Sequence, residues 1–268
     1  MGFRNNLLTG EPIVFAPERA ARRSAFGEAS DERCPFCPGN ESDTPPEIAR
    51  IGEPWRVRAF PNKYPPTEGS EVIVESSRHD GAFHDHPEDA VRMYADRYRA
   101  HGDAAYVALF KNEGVRAGAS IAHVHSQLVP LPFVPPRIEH ELRGFASHCP
   151  MCDPPGHAIR ETDTMRWLAP DASSFAYQQW IVPKRHVCDF SSFDDDELRD
   201  LAVLLGDVSR KAFADFNWMF VNFPRHDEAH CYIDVVPRLT ALAGLELGTG
   251  TFVEIIDPAA AARRLRET

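Results

Sequence analysis

The chain has 268 residues, enough for one large domain or two of moderate size. Its 29 Lys and Arg stand against 40 Asp and Glu, a formal charge of −11, which excludes an extended nucleic-acid surface while leaving room for local cations to hold a small anion. No run approaches the ~18 apolar residues of a membrane span, and the opening MGFRNNLLTG lacks an apolar stretch, so a soluble, cytoplasmic protein without nucleic-acid or membrane partners is expected.

In chain order, the first β-rich runs are WRVRAF (55–60) and EVIVES (71–76). From 87 to 102, PEDAVRMYADRYRAHG sets Val91, Tyr94, Ala95 and Tyr98 at helical spacing. AYVALF (105–110) and HVHSQLV (123–129) return to strand. A Pro-rich stretch near 130–144 reads as a linker into a short helix. Beyond it, MRWLA and FAYQQWIV precede a helix from about Asp194 that carries Leu198, Leu201, Leu205, Val208 and Ala212 on one face, and WMFVNF and CYIDVVP close the pattern. The Leu and Tyr stripes are core. Two rounds of strand, strand, helix, strand, strand predict an α+β fold of duplicated halves, 1–136 and 137–268, whose antiparallel sheets with flanking helices join or pack into one body.

The cysteines strengthen the duplication. Four of the six form two Cys-Pro-x-Cys pairs, Cys34/Cys37 and Cys149/Cys152. His79 and His123 are 44 residues apart, as are His186 and His230, and each of the second pair follows its counterpart by 107 residues. Each half therefore owns a Cys, Cys, His, His set, which suits Zn²⁺, and four protein ligands leave no open position, so both sites read as structural. A redox or merely buried cysteine pair is the alternative for either set. Cys188 and Cys231 fall outside the pattern as packed thiols.

His123-Val124-His125-Ser126-Gln127 has strand period, so residues 123, 125 and 127 share one face. With His123 held by metal, His125 is a fixed imidazole directed into a cleft and Gln127 a carboxamide beside it. A neutral imidazole can attack phosphorus, and a carboxamide can donate to phosphate oxygens without bringing a titrating proton. The second half has Tyr232 and Asp234 at these positions, so one half reads as active and the other as scaffold. A polar strand face without catalysis, in a zinc-stapled binding protein, is the other reading.

The run GASIAHVHSQ (118–127) resembles the Gly-x-Ser-x-x-His-Pro-His-x-Gln signature of the galactose-1-phosphate uridylyltransferase family, a branch of the histidine triad superfamily. CPFCPGNE, AFPNKYP, SSRH, FKNEG, CPMC, VPKRH and AGLELGTG are similar to family blocks and come in family order. The resemblance implies histidine-triad-like halves and a two-step nucleotidyl transfer. His125 would take a nucleoside monophosphate from a nucleotide-sugar, and a sugar 1-phosphate or inorganic phosphate would then accept it, the latter as in the ADP-glucose phosphorylase-like branch. Gln127, where hydrolytic relatives carry a third His, fits transfer. By position, Asn62 and Asn112 would contact the nucleotide or its phosphate, Ser120 the phosphate, Arg19 and Arg22 the nucleotide pocket, and Glu246 sugar hydroxyls. A homodimer is implied as well. The chain departs from the pattern at Val124, where Pro is usual, and at Tyr232, where many relatives have a further His.

Overall fold

The computed structural model describes residues 2–17, 19 and 33–267. A hairpin of β1 (Gly2–Asn5) and β2 (Pro12–Phe15) stands apart from one ten-stranded antiparallel sheet. The first half of the chain contributes β3 (Ala49–Ile51), β4 (Val57–Pro61), β5 (Glu71–Val74), β6 (Tyr106–Glu113) and β7 (His125–Leu131), with helix α1 (Pro87–Arg99) between β5 and β6. After α2 (Pro136–Leu142), the second half repeats this with β8 (Gly156–Glu161), β9 (Met165–Pro170), β10 (Gln179–Pro183), α3 (Asp195–Lys211), β11 (Phe216–Val221) and β12 (Tyr232–Pro237). Helices α4 (Gly244–Thr249) and α5 (Pro258–Glu267) follow.

The strand order β3-β4-β5-β7-β6-β11-β12-β10-β9-β8 is the same sequence of strands read inward from both edges. The halves meet where β6 pairs antiparallel with β11, Phe110 opposite Met219, so they share one sheet edge to edge. The fold is therefore α+β with a large antiparallel sheet, and it adds an edge strand per half, β3 and β8, that the sequence pattern does not announce. The expected strand 175–182 begins only at Gln179, because Tyr177 takes a left-handed φ of 60° that breaks strand geometry.

Local chemistry sets the helices. Asp194 accepts from Glu197 N at 2.9 Å while Glu197 accepts from Asp194 N at 3.0 Å, so α3 starts on a reciprocal cap. Pro87 opens α1, Glu88 and Asp89 fill its first turn, and Arg97 and Arg99 its last, matching the helix dipole. Both helices pack side by side on one sheet face, where Val91, Tyr94, Leu201 and Leu205 meet Ile73, Leu109, Leu128, Trp218 and Phe220 in the main core. Leu205 is fully buried there, so Leu205→Ala is expected to cost about 2–5 kcal/mol in chemical denaturation, from lost transfer energy and the residual cavity. The opposite face carries two smaller clusters. Phe36, Trp55, Phe60, Val72 and Val74 lie in the first half, and Leu168, Val221 and Tyr232 with Ile138 of α2 in the second.

Candidate metal centres and phosphate site

On this second face each half gathers its Cys and His residues. The ligand atoms of Cys34, Cys37, His79 and His123 lie within 4.8 Å of one another, and so do those of Cys149, Cys152, His186 and His230. In the first cluster, Sγ to Nδ1 distances are 3.6 Å (Cys34–His123), 3.4 Å (Cys37–His79) and 3.7 Å (Cys37–His123). In the second they are 3.6 Å (Cys149–His230), 3.2 Å (Cys152–His186) and 3.9 Å (Cys152–His230). A tetrahedral ion with metal–sulfur bonds near 2.3 Å and metal–nitrogen bonds near 2.0 Å separates those atoms by about 3.5 Å, so the donor sets fit such an ion.

The ring tautomers agree. Since a carbonyl only accepts, His123 Nε2–H donates to Ser76 O at 2.7 Å, His230 Nε2–H to Pro183 O at 3.0 Å and His186 Nε2–H to Asp227 O at 2.8 Å. In each case the Nδ1 lone pair is turned toward the cysteines, which is the outer-sphere arrangement that metal-bound imidazoles use. Burial lowers the pKa of His123 and takes that of His230 down to about 4, keeping both rings neutral as ligands must be. Burial and the neighbouring Cys34 push the Cys37 thiol up, a cost that a bound cation offsets. Cys231 is buried and Cys188 half-buried, and neither belongs to a cluster.

His123 also connects the first cluster to His125. His125 Nδ1–H donates to the His123 carbonyl at 2.8 Å, which leaves the lone pair on Nε2, the nitrogen able to attack an electrophile. Strand register puts Gln127 on the same face, opposite Phe110 of β6 and Val72 of β5. Asn112, two residues along β6 from Phe110, shares that face and accepts from Asn217 Nδ2 at 2.8 Å. The imidazole is only 5 % exposed and edge-on to Phe36 at 5.4 Å between ring centres. It is thus enclosed more tightly than a strand bordering a cleft suggests, because the Cys34–Cys37 loop folds over it.

Of the remaining candidates, Ser120 is buried just after the left-handed Gly118, before β7 begins. Asn62 accepts from Tyr64 N at 2.9 Å, and Arg19 donates to the Tyr64 carbonyl, so those two meet the same backbone unit. Arg22 lies outside the described residues. Glu246 is partly exposed on α4, where its carboxylate accepts from Ala243 N at 2.9 Å and caps its own helix. The sequence reading passed over a buried polar group on the helix-facing side of β7. Lys111 reaches Glu75 at 2.6 Å and Glu113 at 2.9 Å, and Glu75 also accepts from Tyr94 and Ser126. One sequence signal was available, since Lys111 has the parity of the core residues Val107 and Leu109 in β6.

No protein-family model matches the chain. ADP-glucose phosphorylase of Arabidopsis thaliana is 28 % identical, the match covering 98 % of this chain and 92 % of that protein. Galactose-1-phosphate uridylyltransferase of Thermotoga maritima is also 28 % identical, covering 100 % of this chain and 98 % of its own. Among solved structures, that of the Arabidopsis thaliana ADP-glucose phosphorylase with bound ADP-glucose superposes with a TM-score of 0.82 at 28 % identity, covering 100 % of this chain and 98 % of that one. A uridylyltransferase structure gives 0.83 at 25 % identity with the same coverage. In sequence along its whole length and in fold, the chain is a homologue of galactose-1-phosphate uridylyltransferase and ADP-glucose phosphorylase.

Proposed function

We propose that this transferase-class enzyme moves a nucleoside monophosphate from a nucleotide-sugar to a phosphate-bearing acceptor through a nucleotidyl intermediate on His125. The observation that carries the reading is the His125 Nδ1–H bond to the carbonyl of His123, which fixes the nucleophilic tautomer at a residue next but one to a cluster ligand. In the first step Nε2 attacks the α-phosphorus, the bond to the sugar 1-phosphate breaks, and the electron pair leaves with that group. In the second, an acceptor phosphate oxygen attacks the same phosphorus and His125 recovers its lone pair. Gln127 donates to non-bridging oxygens as charge develops, so Gln127→Ala is expected to lower kcat about 10²-fold with little change in KM, measured in steady-state assays.

Two acceptors come from the relatives. Galactose-1-phosphate uridylyltransferase argues for a sugar 1-phosphate, and ADP-glucose phosphorylase, whose solved structure holds ADP-glucose, argues for inorganic phosphate. A panel of UDP- and ADP-sugars incubated with phosphate or with galactose 1-phosphate, read by product mass, separates them. Free nucleoside diphosphate from the phosphate arm selects the phosphorylase, and a new nucleotide-sugar selects the uridylyltransferase. No exchange in either arm removes the proposal.

Zn²⁺ is the ion proposed for both clusters, held by Cys34, Cys37, His79 and His123 and by Cys149, Cys152, His186 and His230. It supplies cross-linking there and takes no part in the transfer. Residues 1–136 carry the reaction in this reading and 137–268 the scaffold. Ser120, Asn62, Asn112 and Arg19 are placed around the phosphate and nucleotide, with Arg22 and Glu246 as further binding candidates. A cytoplasmic homodimer completes the reading, the dimer being supported by exposed apolar side chains such as Phe3, Leu247 and Val253.

A further inference from the structure

The duplication supplies an internal control for the buried polar group behind β7. Lys111 faces Ser126 in the β6–β7 pair, and Phe220 faces Ile233 in the β11–β12 pair, so Phe220 and Ile233 are their counterparts. Leu201 stands 107 residues after Tyr94, the interval that also separates the short turns Phe83–Asp85 and Phe190–Ser192 preceding the two helices. All three counterparts are apolar and at most 3 % exposed. Glu75 has no counterpart at all. Ile73 faces Ser126 as Ile181 faces Ile233, and Ser76 and Pro183 each lend a carbonyl to a cluster histidine. The path from Ile73 to Ser76 is therefore one residue longer than that from Ile181 to Pro183, an insertion at Val74–Glu75.

The second half thus builds the same strand, helix and Cys/His cluster over hydrocarbon alone. Replacing a buried ion pair by well-packed apolar groups is often neutral or stabilising, so packing by itself gives no reason for the polar version. What differs between the halves is the residue on the other side of the strand, His125 against Tyr232. Contacts from the polar group bracket His125. Glu75 N donates to Val124 O at 3.2 Å, Lys111 Nζ donates to His125 O at 3.3 Å, and the Glu75 carboxylate takes the Ser126 hydroxyl. Tyr94 closes the group with 2.6 Å to Ser126. Three successive residues are thus tied to Glu75 and Lys111, Val124 through the Glu75 main chain, His125 through the ammonium on its carbonyl and Ser126 through the carboxylate on its hydroxyl, and both side chains of the pair are fully buried.

We infer that Glu75, Lys111, Tyr94 and Ser126 are positioning residues that clamp Val124–Ser126 from behind, holding the His125 ring in the orientation and tautomer required for attack; this rests on the transfer reading above. Burial pulls the Lys111 ammonium toward neutrality, but Glu75 and Glu113 more than offset it, so the lysine stays charged and keeps donating.

The test uses the full-length, metal-loaded protein, with UDP-glucose and ADP-glucose labelled at the α-phosphorus as probes. Three variants are compared: Lys111→Met, Tyr94→Phe, and Glu75→Val/Tyr94→Leu/Lys111→Phe/Ser126→Ile, which takes the second half's residues at the three matched positions and an apolar side chain at Glu75. In Lys111→Met and in the combined variant, the rate of His125 labelling per folded molecule at saturating probe is expected to fall at least about tenfold, with the half-saturating concentration and metal content held; the melting midpoint should hold in the combined variant and drop in Lys111→Met, which leaves the Glu75 carboxylate buried without its cation. Tyr94→Phe should give a smaller loss. In parallel, ¹⁵N NMR of the His125 ring, assigned with His125→Gln, should show Nδ1–H dominant in the native protein and a mixture of tautomers in Lys111→Met. Native labelling rate and unchanged ring signals in folded Lys111→Met would overturn the inference, as would unfolding of the combined variant while Lys111→Met behaves as native. If the native protein takes no label from either probe, the transfer reading fails, and the ring signals alone then decide whether the clamp sets His125.

Discussion

His125→Ala is expected to lower turnover of the nucleotide-sugar by about 10⁴-fold or more while shifting the melting midpoint little, the loss typical of removing a covalent nucleophile. The ring donates to the His123 carbonyl and lies against the edge of Phe36 on the site face, outside the main core beneath the helices. His125→Gly should recover part of the activity when imidazole is added, because the small residue leaves room for a free ring at the same place. A His125→Ala enzyme that retains more than about one-tenth of native turnover contradicts the covalent route, since activity of that size requires direct displacement by the acceptor.

The second large effect concerns the metals. Native protein is expected to carry two zinc ions per chain by elemental analysis, and Cys37→Ser and Cys152→Ser to carry one each. Each loss should cost about 3 kcal/mol or more of folding stability, because binding energy at a four-ligand site is folding energy. The two sites should differ in what else they change. His123 is a ligand of the first and its carbonyl orients His125, so Cys37→Ser is expected to slow labelling of the folded fraction as well. The second cluster ends in His230-Cys231-Tyr232, where Tyr232 bonds to Glu141 at 2.9 Å and Arg137 fills the space beside it, 2.8 Å from Asp234. Cys152→Ser should therefore destabilise the protein yet leave the labelling rate of folded molecules near native. Equal slowing by both variants would mean that metal acts globally and not through His123.

How much was legible in the sequence differs sharply between these parts. Both clusters were readable because ligand chemistry constrains residue type and because duplication repeats the spacing, 44 residues from the first to the second His of each set. The face shared by His125 and Gln127 followed from strand period, and α3 from its Leu stripe. Hairpin β1–β2 and edge strands β3 and β8 were not readable, since they are three to six residues long and mostly unburied and so lack hydrophobic periodicity. The meeting of halves at β6–β11 was open for a related reason. The sequence shows that two sheets must bury their faces, but whether they stack or join at an edge is decided by backbone pairing that leaves no pattern.

Strand parity alone places Lys111 with the core, but its pairing with Glu75 was illegible for another reason. Lys111 and Glu75 each sit at the end of an apolar run, where a charge ordinarily marks a strand leaving the core. Only the three-dimensional pairing of two such ends, 36 residues apart, turns them into a buried ion pair. The tightness around His125 had a similar origin. Nothing in the Cys-Pro-x-Cys pattern assigns Phe36 a role, yet the fold lays it across the imidazole.

The central claim, a nucleoside monophosphate carried on His125, is tested most directly by intact-mass spectrometry of the native protein mixed with UDP-glucose or ADP-glucose in the absence of acceptor. One added nucleoside monophosphate per chain is predicted, acid-labile, located by fragmentation to the peptide containing His125, and discharged on adding phosphate or a sugar 1-phosphate. An enzyme that turns over the nucleotide-sugar yet never gains this mass, or gains it equally as His125→Ala, would contradict the account.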